Sequence, residues 1–203
     1  MRAVARRLVL AATVSLLAAC GQGGAGSAVS SEDNAIGPAN AKVTVVEYAS
    51  VTCPHCARFN EDVFPAFKAK YVDTGQVRYV FREFLTPPVP VAAAGFLIAR
   101  CAGKDKYFSV VDALFHSQNE MYANGDPRSV LFRIGQSAGL TNQQITACIS
   151  DENAVAALQK RVDAAINDAK INATPTFVVN GKKLEGEQTM AQLDAAIQPL
   201  LKK

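Results

Sequence analysis

The sequence Cys53-Pro54-His55-Cys56 lies between a strand-like run at residues 43–48 and a helix-like run that continues to about residue 72. Two cysteines at this spacing, between a strand and a helix, indicate a redox-active cysteine pair. Cys53 would lie at the N-terminus of the helix, where unpaired backbone N–H groups and the helix dipole stabilise an anion such as a thiolate. Two intervening residues let Cys56 return to Cys53 after one helical turn. Pro54 suits the first turn because it has no N–H to lose there.

The same spacing also occurs in metal sites, so a zinc half-site is the alternative interpretation of this cysteine pair. A closed zinc site needs about four ligands. The sequence has no second pair of closely spaced cysteines, and its only histidine besides His55 is His116. We therefore favour the redox interpretation and predict neither a metal nor a cofactor. His116 is interpreted as an ordinary, partly exposed helix residue.

The N-terminal residues are typical of an export signal. Three arginines within the first seven residues precede an apolar run at residues 8–19, which is too short for a stable membrane span. The run ends at Leu17-Ala18-Ala19-Cys20, which resembles the signal of bacterial lipoproteins. We predict a signal peptide over 1–19 and a lipid on Cys20, with a plain secretory signal as the alternative. The Gly-, Ser- and Ala-rich residues that follow predict a flexible tether over 20–35.

Length and charge restrict the function further. The 203 residues suit one domain, or one domain with a large insertion, and the composition is that of a soluble globular protein. The predicted signal holds three of the 21 Lys and Arg residues and none of the 18 Asp and Glu residues. The mature chain therefore has no formal net charge, and we predict no nucleic-acid partner.

Two cysteines, Cys101 and Cys148, remain outside these motifs. Export would place them in an oxidising compartment, the bacterial periplasm, where we expect them to form a structural disulfide. Closing the loop between them would contribute roughly 4 kcal/mol. Two buried free thiols are the alternative, since the sequence does not show that the two residues lie within bonding distance.

Glu47 interrupts the valine-rich run at residues 43–48, six residues before Cys53. A carboxyl group inside a buried strand is costly unless it has a function or a polar partner. We therefore interpret Glu47 as a functional buried acid. The alternative is that it lies at the end of the strand or faces solvent.

Periodicity and capping residues divide the rest of the chain into further elements. They are a strand over 76–85, helices over 91–102, 106–118, 127–139, a short one carrying Cys148 and one over 151–169, a hairpin over 176–184 and a helix over 190–201. Pro65 is expected to kink the helix that follows Cys56, because proline removes one backbone hydrogen bond.

This order of elements predicts the α/β class, as a thioredoxin fold with an inserted all-helical domain. The two halves of the thioredoxin-like domain would cover residues 36–86 and 168–203. The inserted helical domain would cover residues 87–167.

Over residues 36–203 the chain resembles the DsbA-type thiol:disulfide oxidoreductases. The Pro-His dipeptide between Cys53 and Cys56 matches the dipeptide found between the two cysteines in this family. Glu47 matches the buried acid of the family, at the same number of residues before the first cysteine. Thr174-Pro175-Thr176-Phe177 is similar to the loop that carries the cis-proline of the family. Cys101 and Cys148 resemble a second, non-catalytic disulfide of some relatives. A lipid anchor is less common in the family.

The resemblance implies a role for each site residue. Cys53 would be the low-pKa thiol that forms the mixed disulfide, and Cys56 would be its buried resolving partner. His55 would donate a hydrogen bond or a charge to the thiolate. Glu47 would carry a proton to or from Cys56. Pro175 would be cis, leaving the backbone of Thr174 free to pair with an extended substrate.

The expected activity is oxidation of reduced exported proteins by a monomeric, lipid-anchored enzyme in the periplasm. A quinone-linked membrane oxidase of the DsbB type would reoxidise it. One alternative is a reductase or isomerase of the same fold, in which threonine before the cis-proline is common. Another is a non-catalytic lipoprotein, a chaperone or a metal carrier that uses Cys53, His55 and Cys56.

Overall fold

The computed structural model describes residues 29–123 and 125–202. The predicted signal peptide and the predicted lipid site, Cys20, lie outside the described residues. Within the described ranges, no helix is both long and apolar enough to cross a lipid bilayer.

A five-stranded mixed sheet forms the centre of the described structure. Its strands are β1 (Asn34–Ile36), β2 (Val43–Ala49), β3 (Val77–Glu83), β4 (Thr176–Val179) and β5 (Lys182–Glu185). Their order across the sheet is β1-β3-β2-β4-β5, with β2 and β3 parallel and the other pairs antiparallel. The valine-rich strand β2 is central, as expected for a strand that is buried on both faces.

Helices cover both faces of the sheet and fill the chain between β3 and β4. They are α1 (Pro54–Arg58), α2 (Phe64–Phe67), α3 (Val89–Cys101), α4 (Lys104–His116), α5 (Gln118–Ala123), α6 (Pro127–Ser137), α7 (Asn142–Ser150), α8 (Glu152–Asn167) and α9 (Met190–Leu201). This arrangement is the predicted thioredoxin fold with an inserted helical region, formed by α3 to α8.

The helical segment after Cys53 is irregular around Pro65. A π-helical segment at Phe59–Val63 separates α1 from α2, and a second one at Lys68–Val72 follows α2. The N–H of Phe64 reaches back five residues to the carbonyl of Phe59. The wide turn thus lies immediately before the proline, which cannot donate a backbone hydrogen bond. The kink expected at Pro65 thus takes the form of a π-helical turn.

Local sequence signals account for most of the element boundaries. Asp126 and Asp151 cap α6 and α8, and Thr141 forms a capping box with Gln144 at the start of α7. The turn between β4 and β5 has positive φ at both Asn180 and Gly181, as the mirror-image turns of tight hairpins require.

The central strands are covered on both sides. The larger core lies between one face of the sheet and the helices, and it includes Val45, Phe81 and Phe177. A smaller cluster on the other face joins Val46 and Val178 to residues at the end of α8 and beyond. Both faces of β2 are therefore buried. From the carboxyl end of this strand, at Ala49, the chain reaches Cys53 four residues later.

Two predicted boundaries are wrong. The tether was expected to reach residue 35, but Asn34 and Ala35 belong to β1 and pair with β3. Asp33 just before them forms an ion pair with Arg82, with 2.9 Å between Oδ1 and Nε, which holds this end of the segment against the sheet. The helix expected over 106–118 ends at His116, and a separate helix, α5, begins at Gln118.

We predict that Gly37→Ala destabilises the protein by about 2–4 kcal/mol, measured by chemical denaturation. The residue has φ +87°, where a Cβ is strained, and the added Cβ would overlap the backbone carbonyl of Val77. Gly103→Ala is the matched control. Gly103 has φ +93° but open space around its Cβ position. Its substitution should therefore lower the stability only by the backbone strain, about 1–2 kcal/mol. Equal losses in the two variants would contradict the predicted overlap.

Candidate active site

Cys53 and Cys56 meet at the start of α1, where the local sequence places them. Cys53 is the N-cap residue, with extended backbone angles (φ −87°, ψ 119°), and Pro54 occupies the first turn. The Cys53 sulfur accepts the N–H of Cys56 at 3.4 Å. Both residues are free thiols, with 6% of Cys53 and 0% of Cys56 exposed. The pair is therefore in its reduced form, with the sulfur of Cys53 in the position that an N-cap oxygen usually takes.

The pKa values of the two thiols are shifted in opposite directions. Hydrogen bonding from the Cys56 thiol is the largest influence on Cys53 and lowers its pKa to about 6, against the effect of burial. Hydrogen bonds from the Thr174 side chain and from the backbone N–H groups of Cys56 and His55 lower this pKa further. Burial, followed by the contact with Cys53, raises the pKa of Cys56 well above its usual value. These shifts favour a thiolate at Cys53 near neutral pH, the form of a cysteine that can act as a nucleophile, while Cys56 remains protonated.

The loop before β4 lies against the Cys53 sulfur. The Thr174–Pro175 peptide bond is cis, as the family resemblance implied. The Cys53 thiol donates to the Thr174 carbonyl at 3.4 Å, across 121 residues of sequence. The Thr176 hydroxyl donates to the carbonyl of Ala173 at 2.8 Å, and Gly186 donates its N–H to the carbonyl of Pro175 at 2.9 Å. These bonds fix a backbone segment beside the reactive sulfur.

Glu47 is buried in β2, with 1% of its surface exposed, so the alternative in which it faces solvent is wrong. The Tyr79 hydroxyl on β3 donates to its Oε2 atom, whereas Oε1 has no partner among the described residues. Burial dominates and raises the pKa of Glu47 to about 8, and the bond from Tyr79 opposes this rise. A carboxyl group with this pKa can hold or release a proton near neutral pH.

The His55 side chain is not where the sequence analysis expected it. Its Nδ1 atom lies 3.2 Å from Glu187 Oε2 and is also in contact with the Arg58 guanidinium. No hydrogen bond joins its ring to the Cys53 sulfur among the described residues, and 61% of the side chain is exposed. What His55 gives the thiolate is its backbone N–H. The ring instead meets Glu187, which lies 132 residues further along the chain.

Three polar side chains that sequence reasoning missed hold the loop that precedes Cys53. Thr52 bonds through its hydroxyl to the Thr86 hydroxyl at 2.8 Å. The buried amide of Gln118 donates to the carbonyls of Val51 at 2.8 Å and Cys53 at 3.1 Å. Gln118 comes from α5, which the sequence analysis did not separate from the preceding helix. The one sequence signal for this role was that Gln118 is a polar residue at the end of an apolar helix face.

The remaining predicted residues lie outside this cluster. Cys101 and Cys148 form a disulfide between the end of α3 and α7, with 6.2 Å between their Cα atoms. His116 is half-exposed at the end of α4, and its Nδ1 lies 2.9 Å from the carbonyl of Asp112. In the described ranges, no group of three or more His, Cys, Asp and Glu side chains is arranged to hold a metal ion.

We expect Cys56→Ala to raise the pKa of Cys53, because the thiol that donates to its sulfur is lost. A hydrogen bond to a charged group contributes about 1.5–3 kcal/mol, which corresponds to about one to two pKa units. The measurement is thiolate absorbance near 240 nm as a function of pH. Cys56→Ser keeps a donor and should retain most of the low pKa, and an equal rise in both variants would exclude this cause.

Glu47→Gln is expected to stabilise the protein increasingly as pH rises. The pKa of the carboxyl group is about 8 in the folded protein and about 4.5 when unfolded, so between these values the folded state binds the extra proton. The contribution of Glu47 to stability therefore falls from pH 4.5 to 8, by up to roughly 4 kcal/mol, and the glutamine variant lacks this loss. Denaturation of both proteins at pH 4.5 and pH 8 measures the difference.

Glu61→Gln removes an exposed carboxyl group and is the control for this experiment. Its stability should follow that of the wild type at both pH values. A difference between wild type and Glu47→Gln that is the same at pH 4.5 and pH 8 would refute the raised pKa of Glu47.

Comparison with known proteins agrees with this fold. A family model described as Thioredoxin matches residues 30–199. A Rickettsia bellii relative, whose name proposes protein-disulfide oxidoreductase activity, is 33% identical over 174 residues, which are 84% of this chain and 66% of the relative. The disulfide bond formation protein D of Bacillus subtilis is 26% identical over 175 residues, covering 82% of this chain and 76% of that protein.

A solved structure gives the same result. The crystal structure of Wolbachia pipientis alpha-DsbA1 superimposes with a TM-score of 0.79 and 28% sequence identity, covering 86% of this chain and 93% of that chain. The chain spans less than two thirds of the length of the rickettsial relatives, 66% for Rickettsia bellii and 58% for Rickettsia typhi. The sheet order, the inserted helices and these matches show that the chain belongs to the thioredoxin family and is of the DsbA type.

Proposed function

We propose that this protein is a thiol:disulfide oxidase that introduces disulfides into exported proteins by exchange at Cys53 and Cys56. The observation that supports this best is the position of Cys53 as the N-cap of α1, where its pKa is lowered to about 6. A stabilised thiolate favours the reduced form of the pair. The disulfide form is correspondingly a stronger oxidant, because it gains this stabilisation when it accepts two electrons.

The proposed reaction has two exchange steps. A substrate thiolate attacks the Cys53 sulfur of the enzyme disulfide, the bond between Cys53 and Cys56 breaks, and the Cys56 sulfur leaves and takes up a proton. A second substrate thiolate then attacks the substrate sulfur of the mixed disulfide and releases Cys53 as a thiolate. The substrate loses two electrons, and the enzyme pair gains them.

Glu47 is the proposed proton carrier of the first step. The high pKa of Cys56 means that its leaving sulfur needs a proton, and the pKa of about 8 lets Glu47 supply one near neutral pH. Tyr79 holds one carboxyl oxygen and leaves the other without a partner among the described residues. The carboxyl group is thus oriented but not fully satisfied, which suits a group that gains and loses a proton.

The cis-proline loop is the proposed substrate contact. The carbonyl of Thr174 lies 3.4 Å from the Cys53 sulfur, so an extended substrate segment paired with this backbone would bring its cysteine to the reactive atom. A main-chain contact of this kind does not depend on the side chains of the substrate. It therefore suits an enzyme that acts on many reduced exported proteins.

The proposed setting is the bacterial periplasm, with a lipid on Cys20 and a monomeric enzyme. The proposed electron acceptor is a DsbB-type, quinone-linked membrane oxidase. Against the metal-carrier alternative, the His55 ring is turned to Glu187 and does not converge with the two cysteines. The reductase or isomerase alternative is favoured by Thr174, through its resemblance to that branch of the fold, and is decided by the potential of the cysteine pair.

The test is the reduction potential of the Cys53–Cys56 pair, equilibrated against glutathione at pH 7 with Cys101 and Cys148 intact. We expect a value near the oxidising end of the family range, about −120 mV. A value near −270 mV would refute the oxidase and make the protein a reductant. The gap of about 150 mV corresponds to roughly 7 kcal/mol for two electrons, so the two outcomes are well separated.

A companion assay follows the oxidation of a reduced peptide that contains two cysteines. The enzyme in its disulfide form should oxidise the peptide at least as fast as glutathione disulfide at the same concentration. Cys53→Ser should abolish this activity. A variant that lacks Cys101 and Cys148 should retain it, because that disulfide lies outside the active-site cluster.

A further inference from the structure

A cluster of three charged or titratable side chains lies beside the cysteine pair. Its centre is Glu187 Oε2, which lies 3.2 Å from His55 Nδ1 and accepts from Arg58 Nη2 at 3.0 Å and Nε at 3.3 Å. Arg58 Nη2 is also in contact with His55 Nδ1. A single carboxylate therefore holds both cationic or potentially cationic side chains of α1.

The loop that carries Glu187 is held in place from both sides. Gly186 donates its N–H to the carbonyl of Pro175, the cis-proline, at 2.9 Å. The buried amide of Gln188 donates to the carbonyls of Glu185 at 3.1 Å and Gly186 at 3.0 Å. The carboxylate of Glu187 is thus presented by a fixed loop that is joined to the substrate-contacting segment.

The hydrogen-bonding capacity of His55 Nδ1 is fully used in this cluster. Nδ1 accepts from Arg58 when this nitrogen carries no proton, and donates to Glu187 when it carries one, but it cannot do both at once. Arg58 is bonded to Glu187 in either case. The ring is therefore held in this cluster in both states, through Arg58 or through Glu187, and it is turned away from the Cys53 sulfur, whose contacts include the Cys56 N–H, the Cys56 thiol and the Thr174 carbonyl.

We propose that Glu187 is a positioning residue that holds the His55 ring away from Cys53 and so limits the oxidising strength of the cysteine pair. Without the carboxylate, the exposed ring is free to turn on the first helical turn and donate a hydrogen bond to the thiolate. The proposal rests on disulfide exchange at Cys53 and Cys56, but it holds for either direction of that exchange.

The test is a double-mutant cycle of Glu187→Ala and His55→Ala, read as the pKa of Cys53 from thiolate absorbance. Glu187→Ala alone should lower the pKa of Cys53 by about 0.5 units or more, the size expected for a solvent-screened charge contact. His55→Ala alone should change it little, because the ring is already held away. In the His55→Ala background, Glu187→Ala should lose most of its effect.

Glu185→Ala is the matched control, since Glu185 is an exposed carboxylate two residues away on the same chain segment. It should leave the pKa of Cys53 unchanged.

The reduction potential of the Cys53–Cys56 pair provides a second measurement. A threefold stabilisation of the thiolate corresponds to a rise of about 15 mV in the Glu187→Ala variant.

Two results would overturn the proposal. One is an unchanged or raised pKa of Cys53 in Glu187→Ala. The other is a shift of equal size with and without His55, which would make the effect one of net charge rather than of ring position. Thiolate absorbance does not depend on the direction of exchange, so a potential near −270 mV would refute the proposed oxidase and leave this test intact.

Discussion

The reactive sulfur of Cys53 occupies the N-cap position of a helix, and the rest of the site depends on this placement. The end of a helix offers unpaired N–H groups, and here Cys56 and His55 direct theirs to a sulfur atom instead of an oxygen. The buried strand β2 delivers the chain to this point, and Pro54 starts the helix immediately after it. The Cys56 thiol, placed one turn further along the same helix, has the largest effect on the pKa of Cys53, and these backbone N–H groups add to it.

Burial raises the pKa of Cys53, Cys56 and Glu47 alike, and hydrogen bonding outweighs it only at Cys53. The thiol of Cys56 and the carboxyl group of Glu47 are kept neutral because the surrounding core stabilises no charge on them. Cys53, only slightly more exposed, gains enough hydrogen bonds to be the one easily ionised group of the three. The apolar core and the hydrogen bonds to Cys53 thus act together to separate the acidities that exchange chemistry requires.

Features that arise from neighbouring residues could be predicted from the sequence. The helix start at Cys53, the caps at Asp126 and Thr141 and the tight turn at Asn180 depend on residues within a few positions of one another. The burial of Glu47 followed from the valines around it. The strand β1 escaped prediction because three residues carry no periodic pattern, and its pairing with β3 is what orders it.

Side-chain partners from distant segments could not be predicted. Tyr79 was expected on an alternating strand, but nothing local shows that its hydroxyl reaches Glu47. The His55 ring was assigned to the thiolate from the family resemblance, whereas its Nδ1 lies 3.2 Å from Oε2 of Glu187, 132 residues along the chain. Thr174 and Glu187 follow Cys53 and His55 by 121 and 132 residues, after β3 and the helices α3 to α8. A growing chain therefore carries its dithiol long before it has the loop segments that lie against Cys53 and His55.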